Sequence, residues 1–184
     1  INITGATTIG EGAFLFSNCT EVTLPDGIVT IEDNTFRGCT KLKTINLPSS
    51  LKTIGNDAFS GCSIETVVIP SGVTRIGEFA FNGNSFTTVT IPSGVTTIEK
   101  KTFYGCNNLE TLVISEGVSF IGEAAFRDCE NLKNVSLPES LKTIDEGAFF
   151  LCTGLKSIEL PMGITTIGKE AFYCCESLGD IVIP

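Results

Sequence analysis

The sequence predicts a β-rich repeat solenoid, and the first observation behind this prediction is a strict period. A phenylalanine recurs every 22 or 23 residues along the chain, at Phe14, Phe36, Phe59, Phe81, Phe103, Phe126, Phe149 and Phe172. A fixed period of 20–29 residues indicates stacked structural units, because one such unit cannot bury its own apolar face. The prediction is therefore a single domain over residues 1–184, built from about eight units, which we call rungs.

The second observation is a short segment in each rung where polar and apolar residues alternate. Examples are Thr44-Ile45-Asn46-Leu47 and Thr88-Val89-Thr90-Ile91. Alternation with β-branched residues predicts a half-buried strand, and stacked rungs would join these strands into one parallel sheet. A proline then removes a backbone donor and ends each strand. These prolines are Pro25, Pro48, Pro70, Pro92, Pro138, Pro161 and Pro184, with Ser115 standing in once.

The third observation concerns the rest of the rung. A glycine often follows the proline by two residues, where we expect a turn with positive φ; examples are Gly72, Gly94, Gly117 and Gly163. A second, shorter extended piece such as residues 95–98 comes next. The phrase Ala-Phe-x-x-Cys then has the spacing of one turn of 3₁₀ or α helix. Its phenylalanine would fill the centre of the solenoid.

Composition narrows the classes of partner. The chain has 12 Lys plus Arg against 21 Asp plus Glu, for a net charge of −9. Such a chain cannot neutralise a phosphate backbone, so nucleic acid is not an expected partner. No apolar run approaches the length of a membrane span, so direct membrane insertion is not expected either. The last rung stops at Pro184 without a polar cap, which favours a longer parent chain or self-association through uncapped ends.

The repeated phrase resembles a known family. It reads Ile-Gly-Asn-Asp-Ala-Phe-Ser-Gly-Cys at 54–62 and Ile-Gly-Glu-Ala-Ala-Phe-Arg-Asp-Cys at 121–129. From about residue 7 to 184 the pattern is similar to the treponemal-type, or BspA-like, leucine-rich repeat. It departs from ordinary leucine-rich repeats, because its turn carries Gly or Ser instead of an Asn ladder.

The resemblance carries expectations about fold and role. It implies a right-handed leucine-rich-repeat array with a parallel β-sheet on the concave face and short helical turns or second short strands opposite. It also implies an extracellular or cell-surface location and a protein partner, including extracellular host proteins. The family brings no catalytic residue and no cofactor.

The cysteines are candidates for a disulfide or metal site. Six of them occupy one rung position, three residues after the core phenylalanine: Cys39, Cys62, Cys106, Cys129, Cys152 and Cys175. We predict that they are unpaired, buried, small hydrophobic residues. Zinc sites need closely paired ligands, whereas these cysteines lie a whole rung apart, so no metal is expected. Cys174 lies at a variable position and is the best candidate for an exposed thiol.

Catalysis has little support in the sequence. The chain has no histidine, so no Ser-His or Cys-His nucleophile can form. Within each outward strand column no two acidic residues fall on the same or adjacent rungs, which argues against an acid/base pair. Glu159 and Asp180 do lie on adjacent rungs, but in different columns. We therefore predict no catalytic site and no enzyme activity.

The best candidate for a binding surface is the pair of outward-facing columns on the predicted sheet. Solenoids recognise partners on such extended faces. The alternative is that threonine is simply a good β residue there. The candidate residues are Thr44, Asn46, Thr66, Val68, Thr88, Thr90, Thr111, Val113, Asn134 and Ser136. A second candidate is a set of outer aromatic residues, which the sequence places on different rungs and columns: Phe79, Tyr104, Phe120, Phe150 and Tyr173.

Three functions follow from these patterns. The first is a non-enzymatic, adhesion-type repeat module at the cell surface that binds protein through its sheet. The second is a passive structural spacer in a larger surface protein. The third and weakest is a carbohydrate-active enzyme.

Overall fold

The structure is a computed structural model, and it describes residues 5–184. Within this range the regular structure consists of short strands. In chain order they are β1 (Glu21–Thr23), β2 (Thr30–Ile31), β3 (Thr44–Asn46), β4 (Thr53–Ile54), β5 (Arg75–Ile76), β6 (Thr88–Ile91), β7 (Thr97–Ile98), β8 (Thr111–Ile114), β9 (Phe120–Ile121), β10 (Asn134–Ser136), β11 (Thr143–Ile144) and β12 (Thr166–Ile167).

The strands form two faces of the solenoid, and within each face neighbouring strands pair in parallel. The first, which we call the strand face, holds the sheets β1-β3 and β6-β8-β10. The second face holds the sheets β2-β4-β5 and β7-β9-β11-β12. Paired residues lie one rung apart, as in Thr88 opposite Thr111. The parallel solenoid predicted from the period is thus confirmed, together with the second short strands.

Alternation along the strands separates the core from the surface. In β1, Val22 is buried while its neighbours Glu21 and Thr23 are exposed. In β6, Val89 and Ile91 are buried in the same way. The buried side chains of successive rungs join one continuous core, because period-two alternation puts every second residue inside.

The phenylalanines form the axis of this core. Eight rings stack in one column from Phe14 to Phe172, with neighbouring centroids 5.2–5.5 Å apart and interplanar angles of 0–14°. Six of the eight, from Phe36 to Phe149, are fully buried. Each of the six interior rings therefore stacks on a ring of the rung on either side and couples the two rungs.

The predicted helical turn is wrong: residues 5–184 contain no helix. The residues two before and two after each core phenylalanine have positive φ, between 52° and 69°. A right-handed helix cannot continue through a left-handed residue. Backbone hydrogen bonds here alternate between the next rung and the same rung. The Phe36 N–H donates to Ala58 O of the next rung at 2.8 Å, whereas the Cys39 N–H donates to Phe36 O of its own rung at 3.2 Å.

The glycines after the prolines need a second correction. Of the four expected to have positive φ, only Gly117 does, at 104°. Gly94 has another reason to lack a side chain, because a Cβ there would lie 2.7 Å from the Val73 carbonyl oxygen. Close approach of two rungs, and not turn conformation, excludes a larger residue at this position.

Both faces lose their ladder between the same two rungs. No pairing joins residues 66–69 to β6 on the strand face, and none joins β5 to β7 on the second face. We call this level the seam, with residues 66–77 below it and 88–98 above it. None of the residues from 5 to 184 forms a helix that could cross a membrane.

Candidate functional site

The structure places the predicted binding residues on the strand face. Nine of the ten side chains are exposed, and Thr111 is half-buried. Val68 is the most exposed of the large apolar residues, at 83%. The alternation that buries Val89 and Leu112 points these side chains outward.

The central part of the candidate site is a continuous ladder. Thr88, Thr111 and Asn134 pair in register across β6, β8 and β10. Thr90, Val113 and Ser136 form the matching outer column of the same sheet. These six residues, which we call the central patch, are positioned by backbone hydrogen bonds.

The remaining four predicted residues lie below the seam. Thr44 pairs with Glu21, and one isolated bridge joins Thr44 to Thr66. Neither Thr66 nor Val68 pairs with β6. The ladder of the strand face is therefore interrupted between Thr66 and Thr88, although both residues line one groove.

Shallow grooves run along the strand face. One of about 320 Å³ lies between β10 and residues 157–159, within reach of the central patch. Another of about 460 Å³ lies at the seam, where Thr66 and Val68 line one wall and Thr88 and Thr90 line the other. Both follow from missing strand pairing, because paired neighbours would fill the space.

Charges at the rim of the strand face neutralise one another. Lys43 Nζ lies 2.8 Å from Glu65 Oε1, and Lys133 Nζ lies 3.2 Å from Glu110 Oε1. The hydrogen bond from Glu65 raises the pKa of Lys43. Each pair joins neighbouring rungs, so the rim offers little net charge to attract a partner from a distance.

The cysteine column does more than fill space. The six regular thiols are buried and free, as predicted. Each also donates a hydrogen bond to the carbonyl of a core phenylalanine one rung away, as Cys106 Sγ does to Phe81 O at 3.2 Å. The sequence interpretation missed this bond, because its partners lie 25 or 26 residues apart.

Asn84 occupies the cysteine position of its rung and makes the same bond. Its Nδ2 donates to Phe59 O at 2.8 Å and to Phe81 O at 3.0 Å. Its Oδ1 accepts the Ile64 N–H at 3.1 Å. The side chain is 2% exposed. Asn84 thus replaces the cysteine of this rung and makes more hydrogen bonds than a cysteine does.

The thiols should be unreactive in the folded protein. Burial raises the pKa of Cys62 and of Cys106 to about 12, from an ordinary value of 9.0. Thiolate is the nucleophile, so these residues should resist alkylation at pH 8. We expect Ellman's reagent to label Cys174 and Cys19 first, since both are half-buried, and all eight thiols after denaturation. Recovery of clearly fewer than eight from unfolded, unreduced protein would contradict free thiols.

The raised pKa values of the buried thiols determine how the stability of the protein changes with pH. A thiol whose folded pKa is raised stays protonated after the unfolded chain has begun to ionise. Its contribution to stability is present below pH 9 and is lost as the pH rises from about 9 towards 12. At pH 10 the buried thiols should therefore be alkylated only after the protein unfolds.

The outer aromatic residues correct another expectation. Tyr104, Phe150 and Tyr173 share one column, with Arg127 between them. The Arg127 guanidinium lies 4.1 Å from the Phe150 ring centroid, and the Phe150 and Tyr173 rings stack at 4.9 Å. A hydrogen bond to Asp128, together with burial, raises the pKa of Tyr104. These contacts tie neighbouring rungs together, while Tyr173 at the end of the column is still 55% exposed.

The chain offers no metal centre within residues 5–184, where no group of three His, Cys, Asp or Glu side chains could hold an ion. The strand face is thus a built surface of hydroxyl, amide and small apolar groups. Such a surface can exclude water, and its hydroxyl and amide groups can both donate and accept hydrogen bonds.

Solved structures of similar fold include the following three. A leucine-rich cell surface protein of Faecalibacterium prausnitzii is 30% identical, with a TM-score of 0.56 over 89% of this chain and 53% of its own. A leucine-rich repeat protein of T. pallidum is 29% identical, with a TM-score of 0.62 over 92% of this chain and 70% of its own. The pneumococcal vaccine antigen PcpA, 24% identical, agrees in fold alone, with a TM-score of 0.59 over 90% of this chain and 51% of its own.

The chain spans about half the length of the Faecalibacterium protein and of the pneumococcal antigen. None of the curated proteins matches it. The sequence pattern of the BspA type leucine-rich repeat region, in six copies, matches residues 7–130 and 75–184. These two matches together cover nearly the whole chain, and the protein belongs to the BspA-type leucine-rich repeat family.

Proposed function

We propose that this protein is a non-enzymatic recognition module of a bacterial surface protein and that it binds a protein partner through the central patch. The observation that supports this most is the ordered column of Thr88, Thr111 and Asn134 beside a groove of about 320 Å³. The related solved structures include a leucine-rich cell surface protein, which supports the location.

The energetics of the central patch favour a protein partner. Neutral hydroxyl and amide groups cost less to bury than unpaired charges, and a partner can satisfy them one by one. The backbone of β6, β8 and β10 is held by ladder hydrogen bonds, so little order is lost on binding. An extracellular host protein is the class of partner we propose.

The competing proposal is a passive spacer. Threonine is favoured on any exposed sheet, and the rim charges already satisfy one another, as in the pair Lys43 and Glu65. A spacer would need only the stacked core. It would bind no partner through the strand face.

Arginine substitutions on the central patch separate the two proposals. We expect the double variant Thr88→Arg and Thr111→Arg to weaken binding to any extracellular host protein that the native chain captures. Two long cations would block the column, whereas folding should change little because Thr88 is exposed and Thr111 is half-buried. Binding to a panel of purified host matrix proteins can be measured by biolayer interferometry.

The matched control is Thr74→Arg with Thr96→Arg. These residues are also exposed threonines on neighbouring rungs, and they lie off the strand face. The control adds the same charge and should leave binding unchanged. Equal loss of binding in both variants would point to net charge, and unaltered affinity of the patch variant would move the site elsewhere. A native chain that captures none of the panel would favour the spacer.

A further inference from the structure

Among the interior levels of the described residues, the seam is the one where neither face has a ladder. At the other interior levels at least one face stays paired, whereas the last level, between residues 157–160 and 180–184, also has no ladder. Below the seam, residues 67–69 of the strand face are unpaired, but β4 pairs with β5 on the second face. Above it, β11 pairs with β12 where the strand face has no pairing beyond β10. Residues 5–77, the lower block, and residues 88–184, the upper block, therefore meet without strand hydrogen bonds.

The turn side of the solenoid remains bonded through this level. The Phe59 N–H donates to Ala80 O at 2.8 Å, and the Phe81 N–H donates to Thr102 O at 2.9 Å. The stacked phenylalanine rings also continue, with Phe59 and Phe81 centroids 5.4 Å apart. One side of the seam is thus tethered while both strand-bearing sides are not.

An unusual side chain lies just before the upper block. Other rungs place Leu42, Ile64 or Leu109 at this core position, but this rung has Phe86. The Phe86 ring packs edge-on against Phe81 and Phe103, at 6.1 Å from each. A phenylalanine ring is bulkier than leucine or isoleucine, so the core beside the seam is packed differently from the core of those rungs.

The two blocks still touch across the seam. A Cβ on Gly94 would lie 2.7 Å from the Val73 carbonyl oxygen, so the backbones are in contact there. The groove of about 460 Å³ between Thr66 and Thr88 is the more open part. Separating these surfaces breaks packing contacts but no ladder bonds. Low local opening energy is expected where backbone hydrogen bonds are missing.

We propose that the seam is a hinge built into the solenoid. The bonded turn side from Phe79 to Tyr104 acts as its axis, and the upper and lower blocks rotate about it as rigid bodies. Rotation widens or narrows the groove that Val68 and Thr90 line. The hinge stands on the missing ladders alone and does not depend on the proposed binding function.

Residual dipolar couplings of the amide groups test the hinge in the native protein. At 19.5 kDa the chain suits this measurement. Couplings from the lower and upper blocks are fitted separately to the structure. A hinge gives two alignment tensors whose magnitudes differ beyond the fitting error, because the blocks reorient independently. One tensor that fits both blocks would overturn the proposal.

A disulfide cross-link across the seam provides a second test of the hinge. The pair Val68→Cys with Thr90→Cys places one thiol on each side of the seam, in one outward column. Once mass spectrometry shows that this disulfide has formed, the two tensors should merge into one. The control is Thr90→Cys with Val113→Cys, which joins two strands already paired and should leave two tensors. Two tensors persisting across the oxidised seam would place the motion elsewhere and refute the hinge.

Discussion

Replacing Phe103 with alanine should lower the free energy of unfolding by roughly 3–5 kcal/mol, the usual loss when a buried phenylalanine is truncated. Its ring is fully buried and stacks between Phe81 and Phe126, at 5.5 and 5.4 Å. It also supports the edge of Phe86. The substitution therefore opens a cavity that touches three rungs. Urea or guanidinium unfolding measures the loss.

Phe172→Ala is the matched comparison. Phe172 is only half-buried and stacks on one ring, Phe149, at 5.4 Å. In a linear array each rung is stabilised by its neighbours, so truncation near the end of the column should cost much less. Equal denaturation midpoints for the two variants would argue against a linear array. Phe103→Leu keeps most of the apolar volume and should lie between native protein and Phe103→Ala.

Asn84→Leu should produce the second largest loss, because it removes a buried polar side chain with three short hydrogen bonds. The Ile64 N–H would lose its acceptor, and a buried group without a partner costs roughly 1–3 kcal/mol. The bonds to Phe59 O and Phe81 O, each worth about 1 kcal/mol net, would also be lost. Leucine has a similar size, so the change in packing is small.

Two further variants make the Asn84 result specific. Asn84→Cys restores the thiol of neighbouring rungs, which can donate to Phe59 O but cannot satisfy the Ile64 N–H. It should therefore recover part of the stability. Asn107→Leu changes an exposed asparagine of the same chain and should have little effect. If Asn84→Leu were as stable as native protein, the hydrogen bonds of Asn84 would not be supporting this rung.

Residue spacing alone was enough to predict the core of this protein. A phenylalanine every 22 or 23 residues and a proline after all but one of the alternating segments predict a parallel stack, which the strands from β1 to β12 confirm. The ten candidate binding residues also follow from period-two alternation, and nine of them are exposed. The alternation is local, because it depends on residues two positions apart, and the period of 22 or 23 residues is evident because it repeats along the whole chain.

The turns beside the phenylalanine column lay beyond prediction. The spacing between Phe36 and Cys39 predicts one turn of helix, but the backbone there has residues with left-handed φ, such as Asn34 and Gly38. Several of these positions, for example Lys101 and Leu151, are neither glycine nor asparagine. Hydrogen bonds to the next rung select this conformation, and a single rung has no such partner.

By itself, then, the sequence determined the stacking period, the buried columns and the outward face, because these depend on which side chains are apolar at fixed spacings. The tertiary structure alone decided which bonds tie the rungs together. It paired Cys106 with Phe81 O, joined Asn84 to Phe59 O and the Ile64 N–H, and left the seam between Val68 and Thr90 unpaired. The physical reason is distance along the chain: each of these outcomes depends on neighbouring rungs, whose exact separation is set by packing.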